Sequence, residues 1–118
     1  MRLSICLLLL LVHTASAQSP TREERLRLHG SNTIGERMAP ALAEAWLGSE
    51  GFERVERIER AFEEVEGHGI RGGVRRVVEI HAHGSSTGFR DMVAGKADLA
   101  MSSRPAQSAD NPGAVLGR

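Results

Sequence analysis

One loop occurs twice in this chain. Leu28-His29-Gly30-Ser31-Asn32-Thr33 and Ala82-His83-Gly84-Ser85-Ser86-Thr87 both read as a strand end, then His-Gly-Ser-x-Thr, then a helix start. Before the first loop, Leu26-Arg27-Leu28-His29 alternates apolar and polar residues. Before the second, residues 74–83 are rich in β-branched side chains and alternate through Val78, Ile80 and Ala82. After the first loop, Ile34, Met38, Leu42, Ala45 and Trp46 recur at helical spacing. Thr33 and Glu36 are placed as a capping box, and Pro40 requires either a helix start close before it or a kink. After the second loop, Phe89, Met92 and Val93 begin a short helix that Gly95 is placed to end, and residues 97–101 make a further short strand. Two strand-loop-helix units predict an α/β fold around a small, mostly parallel sheet.

Physical chemistry gives the repeated loop a use. The first backbone N–H groups of a helix have no intrahelical acceptor, and the macrodipole adds a partial positive charge there. Glycine lets the backbone approach a ligand closely, and Ser and Thr hydroxyls rotate to donate. Ser31, Thr33, Ser85, Ser86 and Thr87 would then line a cradle for an oxyanion. Two such loops on neighbouring parallel strands open on one edge of the sheet, where α/β folds place their ligands.

Two other readings compete. Gly84-Ser85-Ser86-Thr87-Gly88 fits the G-x-S-x-G nucleophile elbow of an envelope serine hydrolase, with Ser86 as nucleophile. That elbow takes its partners in the order Ser, Asp or Glu, then His, and the last histidine here is His83, ahead of the serine. Another triad order would leave the duplicated loop unexplained. A ligand-free secreted α/β domain, in which Ser and Thr only cap helices, accounts for either loop taken singly. The pair favours anion binding. His81 and His83 share one side of a strand, but with no cysteine and no other evident ligand nearby a surface or loop-packing role is favoured over zinc. His29 and His83, each just before its glycine, are placed to hydrogen-bond their loops. No metal, cofactor or covalent chemistry is implied.

The ends and the middle set the boundaries. Arg2, the apolar run of residues 5–12 and Ala15-Ser16-Ala17 predict a cleaved export signal over residues 1–17, hence a periplasmic or secreted product. Cleavage would remove Cys6, the only cysteine, and leave 14 basic and 15 acidic side chains. Near-neutral charge gives no case for nucleic acid, and no stretch of the mature chain is apolar enough to span a membrane. Residues 18–105 fit one small domain, and residues 106–118, without period, a loop or disordered end. In residues 50–73, Phe52, Val55, Ile58, Phe62 and Val65 recur three or four apart, which favours an amphipathic helix; two short strands split near Arg60 also fit.

With these residues in view, "LHGSNTIGERMAPALAEAWL" and "VEIHAHGSSTGFRDMVAGKADLAMSSRP" resemble the phosphate-type periplasmic substrate-binding proteins of ABC transporters. The resemblance covers most of residues 26–105 and is weak over 50–73. It implies part of lobe 1 of a type 2 periplasmic-binding-protein fold, whose second lobe would lie beyond Arg118, and binding of inorganic phosphate or a related oxyanion for uptake through a transporter permease, or for sensing. It also implies contacts from Thr33 and Ile34 in the first loop and Ser85 in the second. Ser103 stands where some members carry a proton-accepting aspartate, and the Ser103-Arg104 pair matches others. The chain thus reads as a fragment of a longer binding protein.

Overall fold

The computed structural model describes residues 19–20 and 22–110; the export segment predicted over residues 1–17 lies outside them, as do residues 111–118. In chain order the elements are β1 (Arg22–Gly30), a π-helical turn (Ile34–Met38), α1 (Ala39–Ser49), β2 (Glu53–Ala61), β3 (Glu64–Arg71), β4 (Val74–His81), α2 (Ser85–Val93), β5 (Leu99–Met101) and a short 3-10 turn (Ser108–Asp110). The strands form one five-stranded sheet in the order β2-β3-β4-β1-β5. β1 runs parallel to β4 and β5, while β2, β3 and β4 form an antiparallel meander. The result is a mixed α/β fold, and the sheet is less parallel than the sequence led us to expect.

The reason lies in residues 50–73, where the favoured helix is replaced by the β2–β3 hairpin, turning at Phe62-Glu63. The helical spacing there is accidental. Phe52 is buried ahead of β2, whereas Phe62 sits at the hairpin tip and is 86% exposed. Val55 packs against the core, but Ile58 pairs with Glu66 on the opposite face. Val55 and Ile58, three apart, take opposite faces as strand alternation requires, whereas a register shift between Glu53 and Glu56, at which Arg54 adopts φ 53°, lets Phe52 and Val55 both reach the core.

One face of the sheet carries the apolar core. Leu28, Val78 and Ile80 meet Ala39, Ala43 and Leu47 of α1, with Phe52 and Met101 closing the ends. The helix leading into α1 starts earlier than its regular part. Through the π-helical turn the N–H of Ala39 donates to Ile34 O, an i→i+5 bond just before Pro40, which has no N–H to give. Thr33 makes no side-chain cap bond, so the predicted capping box does not form; Ser31 Oγ instead accepts the Ile34 N–H at 3.3 Å.

The other face is polar. α2 covers β1 and β5 there, held by Asp91 bonded to His29, and the loop from α2 to β5 is tied to β1 by the Arg27–Asp98 ion pair at 2.9 Å. Farther along, Glu66 accepts from Arg25 at 2.7 Å, Arg60 at 2.8 Å and His68 at 2.9 Å. Burial alone would raise the Glu66 carboxyl, but these three donors more than offset it and hold the group down at about 2.

Candidate anion site

β4, β1 and β5 are adjacent and parallel, so the loops that follow them emerge on one edge of the sheet. Backbone hydrogen bonds lace the three loops together. The Ser31 N–H donates to Met101 O at 2.9 Å, and the Gly84 N–H donates to Gly30 O at 2.8 Å. Gly30 is required: its φ is 144°, and a Cβ there would lie 2.1 Å from Met101 O. Gly88 is required for a different reason, since a Cβ on it would lie 2.3 Å from His29 O and 2.7 Å from Gly30 Cα. The second glycine of the G-x-S-x-G string is therefore the point at which α2 crosses the end of β1 in backbone contact.

The predicted ligand residues divide into two groups. Some hydroxyls are committed to building the loops. Ser31 is buried, its Oγ capping the helix, and Thr87 Oγ1 donates to His83 O at 3.1 Å. Ile34 gives its N–H to Ser31 and lends its side chain to the core. The others face outward. Thr33, Ser86 and Ser103 are exposed and Ser85 is half-buried. The loops after β4 and β5 meet through Ser85 Oγ, which accepts the Ser103 N–H at 3.3 Å and lies 3.5 Å from Ser103 Oγ. Beside them Arg104 donates to Ser86 Oγ at 3.1 Å.

Arg104 is held in place. It grips Asp110 through two bonds of 2.7 and 2.8 Å, and its guanidinium lies 5.3 Å from the centre of the Phe89 ring. The Arg104 hydrogen bond and the Gln107 N–H hold the Asp110 carboxyl at about 2. Residues 106–110 thus form a loop that folds back on Arg104. A groove of about 500 Å³ opens here, lined by Ser86, Arg90, Arg104, Gln107 and Asp110.

The histidines do not bond their own loops as expected. His29 is buried between Glu79 Oε2 at 2.7 Å and Asp91 Oδ2 at 2.9 Å, joining β1, β4 and α2. His83 turns towards the β2–β3 hairpin, with Nε2 3.1 Å from Glu64 Oε1 and Nδ1 3.5 Å from Glu63 Oε2. Neither these partners nor Asp110 could be read from spacing, because each comes from a segment distant in sequence or without period. Comparison with protein-family profiles, curated proteins and solved structures finds no match to the chain.

Proposed function

We propose that this protein binds a tetrahedral inorganic oxyanion, phosphate foremost, at the edge where the loops after β1, β4 and β5 converge. The observation that carries this reading is the meeting of Ser85 with Ser103 and of Ser86 with Arg104 beside the start of α2. Hydroxyls, an arginine and the free N–H groups of a helix start are the donors an oxyanion needs. The resemblance to phosphate-type substrate-binding proteins agrees with this chemistry. On that reading the chain contributes part of one lobe of a periplasmic binding protein, exported by its first 17 residues and serving a transporter or a sensor.

Serine hydrolysis is less well supported. The Ser86 hydroxyl accepts from Arg104, a cation that cannot take its proton, while the His83 ring is directed at Glu64.

Affinity follows from magnitudes. Micromolar binding needs about 8 kcal/mol. A charge-assisted hydrogen bond nets about 1.5–3 kcal/mol, against an association cost of roughly 4 kcal/mol or more. Three or four such bonds from one lobe give millimolar binding. Calorimetric titration with phosphate, sulfate and arsenate tests this: weak, saturable heats that Ser85→Ala and Ser86→Ala diminish support the reading, and heats unchanged by both variants refute it.

A further inference from the structure

A second site stands on the polar face, at the junction of β3 and β4, and it does not depend on the oxyanion reading. Glu64 opens β3 and pairs in register with His81, the last residue of β4; His83 follows two residues later. Their ligand atoms all lie within 4.8 Å of one another. Glu64 Oε1 is 3.1 Å from His83 Nε2, and Glu64 Oε2 is 3.9 Å from His81 Nε2. Two ligands at zinc bond lengths of about 2.0–2.1 Å on a tetrahedral ion are roughly 3.3 Å apart. The three groups therefore need only small side-chain rotations to close on one ion.

We infer that Glu64, His81 and His83 form a binding site for a divalent transition metal, with Zn²⁺ the best fit. Two imidazoles and one carboxylate suit a borderline ion better than magnesium or calcium, which prefer all-oxygen shells. The outer shell is also in place. Glu63 Oε2 faces His83 Nδ1 at 3.5 Å and can hold the proton there, leaving Nε2 free for the metal, and Asn32 fixes that same carboxylate by donating to Glu63 Oε1 at 2.8 Å. All three ligands are partly solvent-exposed, so a fourth position stays open to water.

The neighbouring group His29, Glu79 and His81 is also close enough to hold an ion. It is the poorer candidate, because both His29 ring nitrogens already face carboxylates, those of Glu79 and Asp91. Stacking of His29 on His81, with ring centres 4.2 Å apart, instead orients the His81 ring. No motif marks the third ligand, since Glu64 is brought beside His81 only by the pairing of β3 with β4.

The test is titration of the full chain with Zn²⁺ against a chromophoric chelator, together with the absorption spectrum of the Co²⁺ form. One equivalent should bind, with the visible bands of a four-coordinate ion and no thiolate charge-transfer band. His81→Gln, His83→Gln and Glu64→Gln should each weaken binding at least tenfold, and Glu63→Gln about tenfold, as outer-shell changes do. These side chains are partly exposed, so each variant should fold, which circular dichroism checks. Absence of saturable binding, a thiolate band, or unchanged affinity in the His81 and His83 variants would overturn the proposal.

Discussion

Ser85 Oγ accepts the backbone N–H of Ser103 at 3.3 Å, joining the loop after β4 to the loop after β5 across the end of β1. The bond is long and partly exposed, so it contributes little to stability and leaves the hydroxyl able to turn to a ligand. Ser85→Ala should cost no more than about 0.5–1.5 kcal/mol in urea unfolding. The same change should weaken phosphate binding several-fold or remove it.

Arg104 donates to Asp110 twice, and an incoming anion must share that guanidinium with a carboxylate. Asp110→Asn removes the competing charge. Sulfate or phosphate affinity, measured by titration, should rise several-fold, and Arg104→Gln should abolish binding. Weaker binding in Asp110→Asn would show that the carboxylate positions the arginine instead of competing for it.

Gly88→Ala places a methyl against the backbone of His29 and Gly30, where no flexible side chain can yield. α2 must lift from β1. We expect a loss of about 1–3 kcal/mol in denaturant unfolding, in the range of overpacked contacts, and poorer anion binding because Ser85 and Ser86 move with the helix.

Glu66 and Asp110 are both held at about 2, below the ordinary carboxylate range. A carboxylate whose pKa is depressed in the folded state contributes stability that is fully present above its unfolded pKa and is lost as pH falls through the folded value. Urea midpoints should therefore hold above about pH 5 and fall progressively towards pH 2. Glu66→Gln should flatten that fall. It should also cost about 1–3 kcal/mol near neutrality, because Arg25, Arg60 and His68 lose the shared carboxylate charge and one of its two acceptor oxygens becomes a donor.

Much of this architecture was legible in the sequence because local rules and tertiary structure agree there. Strand, glycine and helix succeed one another around Gly30 and Gly84 as the alternation and turn residues imply, but α1 buries Ala39, Ala43 and Leu47, while Met38, Leu42 and Trp46, whose spacing marked the helix, lie on its exposed side. The hairpin was obscured because Phe52, Val55, Ile58 and Phe62 imitate a helical period across a bulge and a turn. Site chemistry was legible only in part. Ser85 and Ser86 meet Ser103 and Arg104, which the duplicated loop does not include and only the family resemblance brought into view, whereas Ser31 and Thr87 brace the loops. Asp110, Glu63 and Glu64 act on Arg104 and His83 through folding alone, and no motif marks them.

A fluorophosphonate probe separates binding from hydrolysis. Ser86 should remain unlabelled, since its hydroxyl accepts from Arg104, a cation that cannot take its proton. Labelling that disappears in Ser86→Ala would establish a nucleophile and displace the binding account.

Amide chemical shifts measured during a phosphate titration report on whether the loops after β1, β4 and β5 form one oxyanion cradle. Saturable, millimolar-range shifts confined to residues 31–34, 84–87 and 102–104 are expected. Shifts that fail to saturate, or that fall elsewhere while these amides stay still, would contradict the cradle.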